Sequence, residues 1–300
     1  MTTDRMNVAV VTDSTAYLPA DLAARHHVRV VPLHVVIGGK SYDEGRDISS
    51  AQVAAALRSF KPVSTSRPSP GAVLAVYEEL ADAGAQHIVS IHISGEMSAT
   101  LASAQIAAAQ SPVPVTVVDS RSIGMAMGFA VLGAAEAAAG GAPPVDVARI
   151  ARDLAGAASV SFYVDTLEYL RRGGRIGKAA ALFGSALAIK PLLTVTNGRI
   201  EPLERVRTTS RALARMRERA VAAAQAMDAT EGVDIAVHHL DSRERAEQLA
   251  QALAEAVPQV RRVLLVELGA VVGAHVGPGT LATSVSPRLP GRSAILGASD

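Results

Sequence analysis

The sequence contains no cysteine and no tryptophan, and phenylalanine and tyrosine are scarce. The absence of cysteine excludes disulfides, thiolate nucleophiles and cysteine-ligated zinc. With aromatic residues at 3% of the chain, stacking platforms for bases or sugars are not expected. A long apolar run at 123–142 is alanine-rich and carries Glu136, which favours a buried helix over a membrane span.

Net charge is also nearly absent, at +1 for 300 residues. This balance argues against a nucleic-acid-binding protein, which needs a basic face to neutralise phosphates. The first residues, MTTDRMNVAVVT, lack the apolar core of a signal peptide, so we expect a soluble, cytoplasmic protein. The length and an apolar content of 49% favour two globular domains.

Apolar runs of strand length alternate with helical patterns in the first half of the chain. The predicted strands are residues 6–12, 28–37, 87–93 and 113–119. The predicted helices lie near 19–26, 49–59, 70–84 and 98–110. This alternation predicts βαβ units and a mostly parallel sheet with helices on both faces.

The pattern changes after about residue 158. A strand at 160–166 is followed by a hairpin at 192–206, which Asn197-Gly198 indicates as a two-residue turn. Then come a helix (208–228), a strand (233–240), a helix (243–256) and a strand (260–268). We therefore predict an α/β protein of two domains, residues 1–160 with a mostly parallel sheet and residues 161–300 with an α+β sheet and helices.

Three of the predicted strands of the first half end in residues rich in hydroxyls. These exits are Thr12–Thr15, Ser94–Thr100 and Asp119–Ser122. Ligands of open parallel sheets bind outside the carboxyl ends of the strands, so the exits, together with STSRPSPG at 64–71, predict one shared polar rim. Helix capping alone is the alternative for each exit, because Ser, Thr and Asp are the preferred N-caps.

A fourth polar segment, STSRPSPG at 64–71, lies between two predicted helices. Three consecutive hydroxyl residues, one arginine and two prolines fit either a plain loop or a stiff cup of donors for an anion. Its Ser69-Pro70 pair also has the residues typical of a helix start.

Two glycine-rich segments are further candidates. YLRRGGRIGK, at 169–178, concentrates cations around Gly173 and Gly174 but lacks the glycine and hydroxyl positions of a Walker motif. A capped helix end with solvated arginines explains it equally well. GAHVGPGT, at 273–280, places His275 in what reads as a tight, exposed loop. No metal-ligand spacing is present, and we expect neither a metal nor a cofactor.

Taken together, these segments resemble the DegV family in order and spacing. The matching segments are VAVVTDSTAYLP, STSRPSPG, SIHISGEMSAT, VVDSRSIGMAMGF, the block from Asp165 to Leu193, GRIEPLERVRT and GAVVGAHVGPGT. The resemblance covers about residues 7 to 285. It implies a two-domain α/β protein that is not itself an enzyme but binds a long-chain fatty acid such as palmitate or oleate, with the acyl chain buried.

The resemblance also implies roles for particular residues. Thr65 and Ser98 correspond to the family's carboxylate ligands, with Ser66 and Ser94 as near neighbours. Arg207 and His275 correspond to positions that serve phosphoryl transfer or docking of a partner. In some members that partner is a separate ATP-dependent fatty acid kinase subunit, which converts the presented acid into acyl phosphate.

The chain departs from the family pattern at three places. Arg67 stands where the Thr-Ser-Gln-Pro loop has glutamine, Gly95 replaces the second of two serines, and Ala99 stands where the family's Ser-Gly-Thr has glycine. Two other functions stay open at this point. One is a stand-alone enzyme that acts on a phosphorylated small metabolite through the Gly/Arg loop. The other is a binding module without a kinase partner.

Overall fold

The computed structural model describes residues 7–182, 190–227 and 230–288. By their internal contacts these residues form two compact units. Unit 1 comprises residues 7–33 and 67–156, and unit 2 comprises residues 34–66 together with the described residues from 157 to 288. The domain prediction assigned 34–66 to the first domain, whereas their contacts place them in the second unit.

Helices and strands alternate along most of the chain. The first elements are β1 (Val8–Asp13), a 3-10 helix (Ser14–Ala16), α1 (Ala20–Arg25), β2 (Arg29–Val31), β3 (His34–Ile37), β4 (Lys40–Asp43), α2 (Ser50–Arg58), β5 (Val63–Ser66), α3 (Pro70–Asp82), β6 (His87–His92), α4 (Thr100–Ala108), β7 (Val115–Asp119), α5 (Met125–Ala139) and α6 (Pro144–Ala157). They are followed by β8 (Ser159–Tyr163), α7 (Glu168–Arg172), a 3-10 helix (Gly177–Leu182), β9 (Lys190–Thr196), β10 (Arg199–Val206), α8 (Thr209–Ala226), β11 (Val233–His239), α9 (Arg243–Ala256), β12 (Val260–Glu267), α10 (Ala270–Val276) and β13 (Leu281–Pro287).

Unit 1 is built on a four-stranded parallel sheet in the order β2-β1-β6-β7. The central strands β1 and β6 are largely buried, as expected for a sheet covered by helices, and the edge strands β2 and β7 are partly exposed. On one side, Tyr77 of α3 and Ala104 of α4 pack with Val11 and Ile88 of the sheet. The predicted parallel sheet with flanking helices is confirmed.

Unit 2 contains a six-stranded mixed sheet in the order β10-β9-β8-β13-β11-β12. Only β11 and β12 are parallel neighbours, and the other pairs are antiparallel. The predicted hairpin joins β9 to β10, and both of its turn residues, Asn197 and Gly198, have positive φ angles of 51° and 79°. That conformation belongs to the turn that the Asn-Gly pair predicts. The α+β layout predicted for this part of the chain is confirmed.

A second, three-stranded antiparallel sheet of unit 2, in the order β4-β3-β5, was not predicted. The run 28–37 was predicted as one strand, but it forms two strands, β2 and β3, which belong to different sheets. Pro32 separates them, and a proline cannot donate a hydrogen bond to a ladder. Residues 63–66, predicted as part of a loop, form β5 and pair with β3.

The predicted helix start at Ser69-Pro70 is confirmed. The Ser69 hydroxyl accepts a hydrogen bond from the Ala72 amide at 3.1 Å, with Pro70 as the first helical residue of α3. Ser49 and Gln52 form a reciprocal capping box at the start of α2. Among the described helices, none is both long and apolar enough to cross a bilayer.

Candidate ligand-binding site

The three polar exits of unit 1 meet at the carboxyl edge of its sheet. The amide of Ser94 donates to the carbonyl of Ser122, and the amide of Gly124 donates to the carbonyl of Thr15. The amide of Ser120 in turn donates to the carbonyl of His92. The exits after β1, β6 and β7 are therefore joined by backbone hydrogen bonds within unit 1, whereas residues 64–66 of the predicted rim belong to unit 2.

A linear network of hydrogen-bonded, buried polar side chains joins α3, β6 and β1 near this rim. The Asp13 carboxylate accepts from His92 Nδ1 at 3.1 Å and from the Ile93 amide at 2.9 Å. His92 Nε2 lies 2.8 Å from Ser90 Oγ, which also accepts a hydrogen bond from the Tyr77 hydroxyl at 2.8 Å. All four side chains are fully buried, and burial raises the pKa of Tyr77 to about 12. Because every member is partnered, this network stabilises the strand ends and offers no free donor.

The two candidate serines of unit 1 differ in exposure. Ser94 is fully buried, and its hydroxyl accepts a hydrogen bond from the Glu96 amide at 3.2 Å. Ser98 is half-buried, and its hydroxyl lies 2.8 Å from that of Thr100, where α4 begins. Arg67, which replaces the family's glutamine, is exposed and donates to the Ala99 carbonyl at 3.4 Å. Ser98 is thus the more accessible of the two hydroxyls.

In unit 2, the candidate hydroxyl residues of β5 differ in exposure, because side chains alternate between the two faces of a strand. Thr65 pairs with Val35 of β3 and is half-buried, whereas Ser64 and Ser66 are exposed. Successive side chains of a strand point to opposite faces, so Ser66 lies on the other face of β5 from Thr65. The predicted cup is therefore a strand that presents a single threonine on its inner face.

The hydroxyl of Thr65 lies 2.8 Å from Nε2 of His275, which is 210 residues away in the sequence. His275 is carried by α10, so the predicted exposed loop is a helix, and most of it is buried. Burial, and secondarily the positive charge of Arg175, lower the pKa of His275 to about 4. The ring is therefore neutral at physiological pH, and its buried Nδ1 has no hydrogen-bond partner among the described residues.

Glycines allow α10 to pack closely against α7 and its flanking residues. A Cβ atom on Gly173 would lie 2.0 Å from Nδ1 of His275. One on Gly277, whose φ is +77°, would lie 2.1 Å from the Tyr169 ring. A side chain at Gly173 would displace the imidazole and one at Gly277 would collide with the Tyr169 ring, so the packing of α10 requires glycine at these two positions.

Thr65 and His275 both line a cavity of about 740 Å³ within unit 2. Its apolar lining residues include Val36, Leu57, Phe60, Val63 and Ala274. The charged residues that line it are Lys61, Arg172 and Arg175, with no aspartate or glutamate among them. The cavity therefore suits a ligand group that carries negative charge.

The arginines of the Gly/Arg loop, residues 169–178, make two different kinds of contact. Arg171 and Arg172 both bind the carboxylate of Glu168, with distances of 2.8 and 2.6 Å to Oε1, and lower its pKa to about 2. That part matches the capped helix end with solvated arginines. Arg175 lines the cavity beside His275 and donates to the Gly173 carbonyl at 2.7 Å. It is the cation of this loop that acts on the pKa of His275.

Arg207 lies elsewhere in unit 2. It is exposed and lines a second cavity, of about 660 Å³, at the start of α8. Arg205, Arg211 and Arg215 share this cavity with Glu204, whose carboxylate binds Arg215 at 2.7 Å. The structure does not bring Arg207 into the cavity of Thr65 and His275. It instead forms part of a separate basic patch, which consists of Arg205, Arg207 and Arg211.

Sequence reasoning missed Lys61, Phe60 and Tyr169 as lining residues of the first cavity. Phe60 is 83% exposed and has a φ of 55°, which is uncommon for a bulky residue. The only usable signal was an aromatic residue beside a cation, Phe60-Lys61, directly after the predicted helix at 49–59. No group of three potential metal ligands occurs within the described ranges.

Comparisons with known proteins agree with this architecture. Residues 7–288 match the family model described as an uncharacterised protein of the DegV family, COG1307. A DegV domain-containing protein of Streptomyces coelicolor, SCO2569, is 52% identical over 282 residues, which cover 94% of this chain and 99% of the relative. The chain therefore belongs to the DegV family.

Solved structures of two relatives are also similar. A fatty acid-binding DegV family protein from Thermus thermophilus is 35% identical with a TM-score of 0.86. DegV of Bacillus subtilis, described as a fatty acid-binding protein, is 32% identical with the same TM-score. Each alignment covers 94% of this chain and all of the solved chain. The fold class predicted from the sequence is thus shared by these relatives.

Proposed function

We propose that this protein binds a long-chain fatty acid, holds its carboxylate with hydroxyl side chains, and presents it to a separate ATP-dependent kinase subunit. The observation that carries the proposal is the Thr65–His275 pair, 2.8 Å apart, in a cavity whose charged lining residues are all cations. Relatives of known structure that are described as fatty acid-binding proteins support the choice of ligand class.

The state of His275 supports Thr65 as a donor to the carboxylate. A neutral imidazole carries one proton, on either Nδ1 or Nε2. With the proton on Nε2, the ring donates to Thr65 Oγ1 and leaves the threonine proton for a ligand oxygen. A carboxylate accepts that proton in a charge-assisted hydrogen bond.

The same arrangement suits the formation of an acyl phosphate. A carboxylate oxygen attacks the γ-phosphorus of ATP, a new O–P bond forms, and the bond from that phosphorus to the bridging oxygen of ADP breaks. No proton needs to be removed from the carboxylate. Neutral donors leave the carboxylate oxygens nucleophilic. Arg175 and Lys61 line the same cavity, and their positive charges stabilise the negative charge of the transferred phosphoryl group.

Burial of the acyl chain supplies most of the affinity in this proposal. Each buried methylene contributes about 0.8 kcal/mol. A tail of about sixteen carbons therefore contributes roughly 10 kcal/mol before the entropy costs of binding. The polar contacts at the head then serve mainly to orient the carboxylate.

The remaining candidate residues are proposed with different roles. Ser98 is the second proposed carboxylate ligand, since its hydroxyl is half-buried. Ser94 and Ser66 are proposed as neighbours that shape the two binding segments. Arg207, in the basic patch, is proposed to contact the kinase partner, for which an acidic surface is the matching chemistry.

The alternative is a stand-alone enzyme that acts on a phosphorylated small metabolite. The cations lining the cavity favour it, because they would also bind a phosphate. The pairing of Arg171 and Arg172 with Glu168 weakens it, because two cations of the loop are already neutralised. The two proposals differ in whether the purified chain carries a lipid.

The test is an organic extract of the denatured, purified protein, analysed by mass spectrometry. We expect about one fatty acid per chain, and formation of acyl phosphate when ATP and a fatty acid kinase subunit are added. An empty extract, from protein that also fails to take up palmitate or oleate, would contradict the proposal. Turnover of a phosphorylated metabolite by the chain alone would favour the alternative.

The matched variants for this test are Thr65→Val and Thr196→Val. Both replace a strand threonine of unit 2 with its isostere, but Thr196 is exposed and does not line the cavity. We expect only Thr65→Val to weaken fatty acid binding. Equal affinities for the two variants would remove Thr65 from the site.

A further inference from the structure

Glu44 is a buried carboxylate that none of the sequence motifs singled out. It directly follows β4 in unit 2 and is 6% exposed. Its Oε1 accepts a hydrogen bond of 2.7 Å from the amide of Val271, which is 227 residues away. Val271 is the second residue of α10, so a carboxylate from a distant part of the sequence caps this helix.

The helix needs this cap because its own sequence provides none. The N-cap residue, Gly269, has no side chain and makes no capping hydrogen bond. The first amides of a helix lack partners within the helix, and a negative charge near them is stabilising. Seven residues are also too few for a helix that is stable without tertiary contacts.

The capped turn directly precedes His275. Val271 and His275 are four residues apart, so they lie one above the other on one face of α10. The other end of the helix is fixed by Thr280, whose hydroxyl donates to the Gly277 carbonyl at 2.8 Å. Glu44 and Thr280 therefore hold both ends of the segment that carries the imidazole.

We propose that Glu44 is a positioning residue, which holds α10 so that His275 stays in hydrogen-bond contact with Thr65. The effect on ligand binding rests on the function proposed above, whereas the effect on the Thr65–His275 contact does not. Glu44 acts through the backbone of Val271 and needs no contact of its own with Thr65 or with a ligand.

Three substitutions separate the hydrogen bond from the charge and the reach of the side chain. Glu44→Ala removes the acceptor. Glu44→Gln keeps an oxygen at the same reach without the charge. Glu44→Asp keeps the charge but shortens the side chain by one methylene. Asp234→Ala is the matched control, because Asp234 is also a carboxylate of unit 2, is 5% exposed, and binds Arg262 rather than α10.

The direct readout is the nitrogen-15 NMR signal of the His275 side chain, assigned among the eight histidines by its loss in His275→Gln. We expect Glu44→Ala to shift this signal and to raise the pKa of His275 from about 4 towards its ordinary value, as the loosened helix exposes the ring. We expect the His275 signal of Glu44→Gln to match that of the parent protein, that of Glu44→Asp to be shifted, and that of Asp234→Ala to be unchanged.

The second readout is the affinity for palmitate, measured by fluorescence displacement. Glu44→Ala weakens it about tenfold, the size expected when one hydrogen bond at the head group is misaligned. An unchanged His275 signal in Glu44→Ala overturns the inference, and if that variant does not fold, an unchanged signal in Glu44→Asp does so. A parent protein that takes up no palmitate contradicts the proposed function instead, while the His275 signal still tests the role of Glu44.

Discussion

Two histidines of this protein make the same first contact in different surroundings. His92 of unit 1 and His275 of unit 2 each place Nε2 2.8 Å from a hydroxyl, of Ser90 and Thr65 respectively. The second ring nitrogen of His92 is bound by Asp13, whereas that of His275 has no partner among the described residues. The Ser90 hydroxyl beside His92 also accepts a hydrogen bond from the Tyr77 hydroxyl.

The contrast separates a structural network from a candidate binding site. In unit 1 the chain from Tyr77 to Asp13 uses its polar atoms internally and is fully buried, so it adds rigidity. In unit 2 the Thr65 hydroxyl is half-buried and faces a cavity lined by cations. A polar group that the fold leaves available at a cavity is a better indication of a ligand than a polar group as such.

The largest effect that follows from this comparison is on stability, for His92→Phe. The substitution leaves Ser90 without an acceptor and removes one donor from the buried Asp13 carboxylate. We expect unit 1 to lose about 2–4 kcal/mol of stability. Amide hydrogen exchange of β1 and β6 measures the loss, and unchanged protection there would show that the network is not structural.

His275→Phe is the matching change in unit 2, and its effect should appear in binding. Thr65 is half-buried and can turn its hydroxyl towards water, so we expect a stability loss of only about 1 kcal/mol. Palmitate affinity should fall about tenfold, because the hydroxyl is no longer oriented. Equal stability losses for His92→Phe and His275→Phe, with unchanged affinity in the second, would remove the distinction between the two histidines.

The pH dependence of stability sharpens the comparison further. His275 and His238 both have a pKa lowered to about 4 by burial, against an ordinary value near 6.5. Since the unfolded chain binds these protons first, the stability they contribute is complete above about pH 6.5 and is lost as the pH falls towards 4. We expect amide protection of the β11–β13 pair to decrease across this window.

His275→Gln should reduce that decrease without abolishing it, because His238 still titrates in the same window. Urea titrations of the parent and the variant at several pH values between about 4 and 7 measure the difference. An identical pH dependence in both proteins would show that His275 is not a buried, neutral group.

The smallest expected effect concerns Phe60, at the edge of the cavity. The amides of Phe60 and Lys61 donate to the carbonyls of Leu57 and Ala56, so Phe60 occupies the left-handed position after α2 that glycine usually fills. Phe60→Gly should stabilise unit 2 by about 0.5–1 kcal/mol, whereas Phe60→Ala, which keeps Cβ, should not. Thermal unfolding of the two variants decides the matter, and equal midpoints would show that the backbone strain is negligible.

Much of the fold could be predicted from the sequence, because its signals are local. Alternating strands and helices predicted the parallel sheet of unit 1, and Asn197-Gly198 predicted the hairpin between β9 and β10. The division of residues 28–37 into two strands was missed, because an apolar run does not show which sheet it joins. Predictions that fall within residues 1–6, 183–189, 228–229 and 289–300 lie outside the described residues.

The candidate site was predicted by residue type but not by geometry. The hydroxyl-rich segments indicated a polar rim, the resemblance to the DegV family singled out Thr65 and Ser98, and the glycines around His275 indicated a tight, exposed loop. The sequence could not show that Thr65 and His275 meet, because their contact joins β5 to α10 across 210 residues. For the same reason, nothing in the sequence indicated that Glu44 caps α10.

The most direct measurement is the NMR signal of palmitate labelled with carbon-13 at its carboxyl carbon, bound to the parent protein and to Thr65→Val. The parent should give a bound signal distinct from that of free palmitate, and the signal should shift when the hydroxyl is replaced by a methyl group, while Thr196→Val leaves it unchanged. The same bound signal in all three proteins would contradict the claim that Thr65 holds the carboxylate.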